Sequence, residues 1–372
     1  MGQGMNILFL VYHALADYSG ISKKILSQAD GLRRGGHNVY LCTLHFEPDG
    51  TQQRICGDSL LRSFGKGFFA SAARRMSYSD IIGFVRTNDI DMVYVRYDIN
   101  ADPFTVSLVR RLKKMGVKVA VEIPTWPYDG EFKGQSLKLK FWFWLDRLFR
   151  MRFFRYVDRV VTYTQSDVIF GCRTLRISNG IDFDKVPQVS GQSPKDPLRL
   201  LSVANIHLWH GLDRLIAGMA AHKEVPSELH IVGDGLPEII DSYRNQALQA
   251  GIGDRVKILG PMSGDSLDRE FEWANLAVGS LGRHRSGIND IKTLKNREYA
   301  ARGLAFFYSE NDSDFDSAPY VMKVPADESP VDIGSLKSFL DSQVMSAAMI
   351  RASVTRLSWE NQMRKVIEGM DF

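Results

Sequence analysis

The chain alternates short apolar runs with amphipathic stretches, and it goes through this cycle twice. NILFLVY (6–12) is a nearly continuous apolar run of strand length, which is typical of a strand buried on both faces. The same pattern returns in NVYLCT (38–43), MVYVR (92–96) and VKVAVE (117–122), with helical spacing between the runs. Strands that alternate with helices predict parallel β-α-β units with right-handed crossovers. The fold class predicted for the first half is therefore α/β, with a doubly wound sheet.

A polar segment, 182–197, interrupts this alternation, and the cycle begins again with LRLLSV (198–203). We interpret the polar segment as a linker, because a chain of 372 residues has the length of two domains. The predicted domains are 1–185 and 186–350, and we expect a final helix, 351–372, to return to the first domain. Ligands of such sheets bind at the carboxyl ends of the strands, so we expect the site in a cleft between the domains.

The charges of the chain are distributed unevenly between its halves. Residues 1–190 contain 27 Lys and Arg against 18 Asp and Glu, whereas residues 191–372 contain 20 against 25. This asymmetry predicts that the first half meets an anionic partner, while a net charge of only +4 does not favour a nucleic-acid-binding protein. The three cysteines lack metal or redox spacing and predict reduced thiols in a cytosolic protein. We expect neither a signal peptide nor a membrane-spanning helix.

The segment 279–307, GSLGRHRSGINDIKTLKNREYAARGLAFF, contains the richest group of candidate functional residues. Asp290 and Glu298 are eight residues apart, and basic residues that include Lys295 lie between and before them. A helix is predicted to begin near Thr293, and a helix N-terminus beside basic side chains suits a phosphate. Two carboxylates suit the vicinal hydroxyls of a polyol. The combination indicates a nucleotide and a sugar, and the alternative is a solvated charged loop.

This segment resembles the E-x7-E signature of the retaining, GT-B-fold glycosyltransferases of family 4, with Asp290 in the first acidic position and Glu298 in the second. Further motifs that resemble this family follow in its order along the chain: SGISKK (19–24), GGHNVYL (35–41), NGID (179–182), HGLDRLI (210–216), IVGDG (231–235), DRVKILG (254–260) and SW (358–359). The resemblance implies two Rossmann-like domains and transfer of a sugar, with retained anomeric configuration, from a UDP- or GDP-sugar to a glycan. It implies no metal and no further cofactor.

The resemblance also implies roles for single residues in donor binding. Asp290 would lie beside the hydroxyls of the donor sugar, and Glu298 would hold the nucleotide ribose. Backbone N–H groups around Thr293 and Leu294 would face the diphosphate. Gly20 would let the first loop approach that diphosphate closely, since it has no Cβ.

The chain departs from the family where an Arg and a Lys usually neutralise the diphosphate, because Asn205 and His210 stand at these positions. Another cation must then stabilise the departing phosphate, and Lys295 is the first candidate and Arg283 the second. Gly233 in IVGDG belongs to no G-x-G-x-x-G motif, so NAD binding is disfavoured, and we expect a tight turn beside the base instead.

A second departure concerns the acceptor. The family commonly has a His-Asp pair after the strand that precedes EIPTWPYDGE (122–131), and this chain has none there. We expect His13, Glu122 or Asp129 to contact the acceptor, without ranking them. The alternative for each of the three is a structural or solvent-facing role.

The segment Lys133–Arg159 contains eight Lys and Arg against two acidic residues, with aromatic residues interleaved. Such a helix is suited to an anionic membrane surface, with aromatic rings at the headgroup boundary. Residues 63–75 are expected to add to this surface, and the alternative is a core helix with a solvated basic face. Together with a lipid-linked acceptor, this predicts a peripheral protein on the cytoplasmic face of a bacterial membrane, in surface polysaccharide synthesis.

Two rival functions remain open. One is another sugar-nucleotide enzyme on the same fold, such as a 2-epimerase or an inverting transferase. The other is a non-catalytic relative that binds a glycan or a lipid.

Overall fold

The polypeptide forms two compact units. A computed structural model describes residues 4–16, 20–128, 137–191, 194–288 and 290–372. The first unit comprises Met1–Ser178 together with Trp359–Phe372, and the second comprises Asn179–Ser358. The limits predicted from the sequence were 185/186 and 350/351. The polar segment interpreted as a linker lies within the second unit, where Val189 is buried.

A nine-stranded sheet forms the centre of the described part of the first unit, in the order β4-β3-β2-β1-β5-β6-β7-β9-β8. Its strands are β1 (Asn6–Ala14), β2 (Asn38–Phe46), β3 (Gln52–Cys56), β4 (Ser59–Gly65), β5 (Met92–Arg96), β6 (Lys118–Ile123), β7 (Arg159–Thr162), β8 (Val168–Ile169) and β9 (Cys172–Arg176). The strands from β2 through β1, β5, β6 and β7 to β9 are parallel, whereas β3, β4 and β8 pair antiparallel. The chain leaves β1 towards one edge and returns to β5 on its other side. The topological switch point therefore lies between β1 and β5.

Helices accompany this sheet. They are α1 (Gly20–Arg34), α2 (Gly67–Met76), α3 (Ser79–Thr87), α4 (Pro103–Lys114), α5 (Leu137–Phe154) and, from the end of the chain, α12 (Trp359–Glu368). Gly31 lets α1 and α12 approach each other, because a Cβ at this position would lie 2.7 Å from the carbonyl oxygen of Trp359. Of the described helices, none is both long and apolar enough to cross a bilayer.

The second unit contains six described strands, all parallel, in the order β12-β11-β10-β13-β14-β15. They are β10 (Leu198–Val203), β11 (Ser227–Val232), β12 (Val256–Gly260), β13 (Leu276–Val278), β14 (Phe306–Tyr308) and β15 (Val321–Lys323). The helices are α6 (Leu212–Ala221), α7 (Pro237–Gln249), α8 (Asp265–Trp273), α9 (Leu294–Arg302), α10 (Ile333–Ser342) and α11 (Ala347–Ser353). Because the chain moves from β10 to one edge and restarts at β13, the switch point of this sheet lies between β10 and β13.

The structure confirms the α/β class and the two parallel sheets, and it corrects two details. The antiparallel hairpin of β3 and β4 was not predicted. The segment 351–372, predicted as one final helix, instead contains the end of α11, a 3₁₀ turn at Thr355–Leu357 and α12. Ser358 forms a β-bridge with Ile181, and this contact between distant parts of the chain interrupts the helix.

Glu122, at the end of β6, has no solvent exposure and is the centre of an ion-pair network in the first unit. Oε1 accepts hydrogen bonds from Arg96 and Tyr163, both at 2.9 Å, and Oε2 accepts from Gln28 at 2.7 Å and Tyr94 at 2.8 Å. Lys24 Nζ lies 3.4 Å from Oε1. Burial opposes ionisation, but Lys24, Arg96 and these hydrogen bonds outweigh it and lower the pKa of Glu122 to about 2.

Replacement of Glu122 by Gln will lower the free energy of unfolding by about 3–5 kcal/mol, because it leaves two buried cations without their counter-charge. The folded-state pKa lies below the unfolded one, so this stabilisation is present above the unfolded pKa and is lost as the pH falls towards 2. Urea unfolding from neutral to acidic pH measures both effects. Glu368→Gln, at an exposed position of α12, is the control, and equal stability of the two variants would contradict a structural role for the Glu122 network.

Candidate active site in the second unit

Three loops meet at the switch point of the second sheet. They follow β10 (204–211), β13 (279–293) and β14 (309–316), and α9 begins directly after the second of them. Leu281 N donates to the His210 carbonyl oxygen at 2.9 Å, and Ser309 N donates to that of Ser280, also at 2.9 Å. Backbone hydrogen bonds thus hold the three loops together, and their side chains share one edge of the sheet.

Gly233, at the end of β11, allows the neighbouring loop to pass close to it. Its φ is +137°, and a Cβ would lie 1.7 Å from the carbonyl oxygen of Ala204. No other residue fits this position without moving the backbone. Backbone packing therefore accounts for this glycine, and its role in donor binding stays a prediction.

Lys295, in the first turn of α9, carries a buried ammonium group. Its Nζ has no hydrogen-bond partner among the described residues. Burial lowers the pKa of Lys295, Glu310 acts in the opposite direction, and Arg283 lowers it further. An isolated buried charge is costly unless a counter-charge reaches it, so this ammonium is poised to receive an anion.

Arg283 brings a second cation to the same place. Its Nε is buried without a partner in the described chain, and its guanidinium carbon lies 5.4 Å from the ring centre of Trp209. Burial lowers the pKa of Arg283, with Glu310 opposing. The structure thus brings Lys295 and Arg283, the two cations proposed from the sequence, into one cluster.

Glu310 is the charged residue of this cluster that sequence reasoning missed. It lies two residues after the end of β14 and is 1% exposed. Its Oε1 accepts a hydrogen bond from Asn296 at 3.2 Å, whereas Oε2 has no partner among the described residues. Burial raises the pKa of Glu310, and Lys295 and Arg283 oppose this rise. A carboxylate two residues after the buried run FFY (306–308) was the signal that could have found it.

His210 lies beside these cations as a neutral ring. Burial, then Lys295 and Arg283, hold the pKa of His210 well below its ordinary value. Its Nδ1 accepts a hydrogen bond from the His207 backbone N–H at 2.9 Å, so the ring proton is on Nε2. His210 is therefore a hydrogen-bond donor, and the positive charge comes from Lys295 and Arg283.

Other buried polar atoms near the start of α9 also lack partners within the described chain. They are Thr293 Oγ1, Asn296 Oδ1 and Ser280 Oγ. Buried polar groups are nearly always hydrogen-bonded, so a group of unpaired ones at one place calls for a ligand with both donors and acceptors. Phosphate oxygens would accept from the cations and hydroxyls, and sugar hydroxyls would donate to the amide and carboxylate oxygens.

Arg297 fixes the beginning of α9 and is not available to a ligand. This buried side chain donates to Asp312 at 2.6 Å, to the Thr293 carbonyl oxygen at 2.9 Å and to that of Asn179 at 3.1 Å. Asn179 Nδ2 in turn donates to the Lys292 carbonyl oxygen at 2.6 Å. The NGID motif therefore anchors the loop that precedes α9.

The two acids of the predicted signature remain accessible. Asp290 is exposed and its backbone forms a β-bridge with Asn311. Glu298 is one-third exposed, and its Oε1 accepts from Arg302 Nε at 3.0 Å. The roles predicted for these acids stay predictions.

The remaining donor residues of the second unit lie at the same loops. Thr293 occupies the N-cap position of α9 without a side-chain capping bond, and Leu294 is the first helical residue. Asn205 is exposed in the loop after β10. Among the described residues, no group of three or more His, Cys, Asp or Glu could hold a metal ion.

Four predicted site residues belong to the first unit. Both carboxylate oxygens of Glu122 are engaged within the protein, so the expectation that Glu122 contacts the acceptor is corrected to a structural role. His13 ends β1, and burial lowers its pKa, with Asp98 opposing. Gly20 begins α1, where a Cβ would meet no atom within 4 Å. Asp129 lies outside the described residues.

Comparisons with known proteins identify the fold. No family model and no curated protein matches the chain. A glycosyltransferase from Rickettsia africae ESF-5 is similar in structure, with a TM-score of 0.63, 12% identity, and coverage of 99% of this chain and 98% of that chain. Sucrose-phosphate synthase from Thermosynechococcus elongatus has a TM-score of 0.62, 14% identity and 98% coverage of both chains.

Alr3699/HepE from Anabaena, solved in complex with UDP, has a TM-score of 0.57, 16% identity, and coverage of 98% of this chain and 99% of that chain. At such low identities, these likenesses show the fold alone. The chain has the GT-B fold with two Rossmann-like domains, as the sequence resemblance implied.

Replacement of Thr293 by Val will leave the unliganded protein as stable as the wild type or more stable, by up to about 2 kcal/mol, because the lost hydroxyl is buried and unpaired. Thr105→Val is the matched control, because the buried Thr105 Oγ1 donates to the Asn100 carbonyl oxygen at 2.8 Å. That control will lose about 1–2 kcal/mol. Urea unfolding without ligand compares them, and a larger loss for Thr293→Val would show that this hydroxyl has a structural partner.

Proposed function

We propose that this protein is a glycosyltransferase that moves one sugar from a nucleotide-sugar donor to a glycan acceptor. The donor binds at the switch point of the second unit, and the first unit takes the acceptor. The observation that carries this proposal is a pair of cationic side chains beside the start of α9, Lys295 and Arg283, whose Nζ and Nε atoms are buried without a hydrogen-bond partner among the described residues. The fold supports it, and the UDP bound to Alr3699/HepE makes UDP the first nucleotide to test.

The donor diphosphate is placed at the N-terminus of α9, where backbone N–H groups around Thr293 and Leu294 point outward and the helix dipole favours negative charge. The Lys295 ammonium and the Arg283 guanidinium contact the phosphate oxygens, and His210 Nε2–H adds a neutral donor. Asp290 accepts from the hydroxyls of the donor sugar. Glu298 accepts from the ribose diol through the carboxylate oxygen that Arg302 does not use.

In the reaction, the bond between the anomeric carbon and the phosphate oxygen breaks, and the acceptor oxygen bonds to that carbon on the same face. The acceptor proton passes to an oxygen of the leaving diphosphate. Negative charge therefore grows on the diphosphate in the transition state, where Lys295 and Arg283 stabilise it. Retention of configuration rests on the resemblance of the 290–298 segment.

Lys295→Met will lower turnover by about 10²–10³-fold, the usual cost of removing one preorganised charge donor, and will affect donor binding less. Lys337→Met on α10 is the control. The two rival functions give different products: a binding protein releases no nucleoside diphosphate, and an epimerase consumes donor without acceptor. Equal turnover of Lys295→Met and the wild type would exclude the proposed role of Lys295.

The role of Lys295 can also be tested without an activity assay, through the protons that are taken up when UDP binds. Because burial depresses the pKa of Lys295, part of the unliganded protein carries a neutral amine at about pH 8, and a bound diphosphate raises that pKa again. Binding of UDP will therefore take up protons. Calorimetry in buffers of different ionisation enthalpy will show the uptake in the wild type and in Lys337→Met, and its loss in Lys295→Met. Uptake unchanged by Lys295→Met would assign it to another group.

We propose further that the first unit binds an anionic membrane surface, which suits a lipid-linked acceptor at the cytoplasmic face of a bacterial membrane. On α2, Phe68 and Phe69 are 81% and 85% exposed. On α5, Phe141, Trp144, Leu148 and Met151 form an exposed apolar stripe at helical spacing. Arg75 of α2 stacks on Trp142 of α5 at 3.6 Å, so the two helices are neighbours.

Basic side chains flank this apolar surface. Lys140, Arg147 and Arg152 of α5 are exposed. Exposed apolar groups of this size are uncommon on a protein that meets only water, and their basic flanks complement anionic headgroups. A role in surface polysaccharide assembly follows from this position.

The double substitution Phe68→Ser and Phe69→Ser will weaken co-sedimentation with phosphatidylcholine vesicles that contain phosphatidylglycerol, by about tenfold or more, since two aromatic rings lose their apolar contact. Leu248→Ser, at a position of α7 that is 62% exposed, is the control. Vesicles of phosphatidylcholine alone will bind little wild-type protein. If the double variant binds as the wild type does, α2 is not the membrane contact.

A further inference from the structure

The first unit contains a small polar cavity at its own switch point. It lies beside the carboxyl end of β1, the loop after β5 and the helix α2, and its volume is about 90 Å³. That is several times the space that one water molecule needs. The polar residues that line it include Tyr12, Arg74, Arg75, Tyr78, Asp98 and Asn100.

The positive charge of this cavity is centred on Arg74. Arg54 is neutralised by Asp80, which its Nη1 contacts at 2.7 and 2.8 Å, and Arg75 lies 3.4 Å from Asp102. Among the described residues, no carboxylate pairs with Arg74. Burial lowers the pKa of Arg74, and the charges of Arg75 and Arg54 lower it further, which marks a locally positive field.

Two neutral groups in the same cavity lack partners. Asn100 is 5% exposed, and neither its Oδ1 nor its Nδ2 has a hydrogen-bond partner among the described residues. The hydroxyl of Tyr12 is likewise buried and unpaired. Buried amide and hydroxyl groups are rarely left without partners, so these two side chains also indicate a polar ligand.

The backbone that presents Asn100 is strained. Ile99 has a φ of +48°, a conformation that is a genuine outlier for a β-branched residue. Such strain persists where the surrounding structure imposes it, often at ligand sites. Here the strained residue lies between Asp98 and Asn100, both of which line the cavity.

We infer that this cavity binds the oxyanion of an acidic acceptor, a phosphate or a carboxylate on the glycan, through the guanidinium of Arg74, the amide of Asn100 and the hydroxyl of Tyr12. All three side chains can donate hydrogen bonds to oxyanion oxygens. The guanidinium of an arginine can bind two oxygens of the same oxyanion at once. The exposed Asp98, with His13 nearby, is placed to accept from hydroxyls next to the anion. The assignment of this ligand as the acceptor rests on the proposed transferase function.

The test titrates the full chain with inorganic phosphate, glucuronate and uncharged glucose by calorimetry. Phosphate also has a proposed site in the second unit. A parallel titration of Lys295→Met therefore distinguishes anion binding in this cavity from anion binding at that site. At least one of the two anions will bind more tightly than glucose, and Arg74→Met will weaken it by about tenfold or more. Tyr12→Phe, which keeps the ring packing, will weaken it less, and Arg86→Met on α3 is the control.

The outcomes distinguish the oxyanion cavity of the first unit from the proposed donor site of the second unit, and they identify the anion. Preference for phosphate points to a phosphorylated acceptor, and preference for glucuronate points to a uronic acid. If Lys295→Met removes all anion binding and Arg74→Met removes none, the inference fails while the proposed donor site stands. If the chain binds no nucleotide but binds an anion in a manner that depends on Arg74, the cavity remains an anion site and the proposed transferase function is overturned. Equal affinity for glucose and both anions would overturn the inference.

Discussion

The candidate site of the second unit depends on one physical constraint: removing a positive charge from water costs free energy unless an anion compensates it. Lys295 and Arg283 are held at the switch point without a full counter-charge, and Glu310 offsets only part of their charge. A folded protein tolerates such an arrangement when the rest of the unit is well packed, and here β10, β13 and β14 are buried almost completely. An entering diphosphate would supply the missing charge, so the same desolvation that destabilises the empty site strengthens binding.

Glu122 shows the opposite design within the same chain. It has no solvent exposure, and each of its oxygens has partners in the protein. A buried charged group whose hydrogen bonds are all satisfied within the protein stabilises the fold. A buried charged group without hydrogen-bond partners is a candidate for ligand binding. This contrast separates the structural carboxylate from the candidate functional groups, and the unpaired Asn100 and Tyr12 belong with the latter.

The sequence predicted the repeated α/β architecture because strands buried on both faces leave continuous apolar runs, such as residues 198–203 and 92–96. It also indicated the start of α9 near Thr293, which occupies the N-cap position before Leu294 in the structure. It did not predict the hairpin of β3 and β4, whose strands, QQRIC and SLLRSFG, are short and mixed in polarity. The role of Glu122 depends on five partners from three other parts of the chain, which no local pattern reveals.

For the candidate site, the departure from the family pattern at Asn205 and His210 led to the prediction of Lys295 and Arg283 as cations. Glu310 was not predicted, since its link to them exists only once β14 and α9 pack together. The most direct test of the account is a crystal structure of the chain soaked with UDP or GDP. The account predicts that the diphosphate lies at the N-terminus of α9, within hydrogen-bond distance of Lys295 Nζ and the Arg283 guanidinium. A nucleotide bound in an ordered position away from these two cations would contradict it.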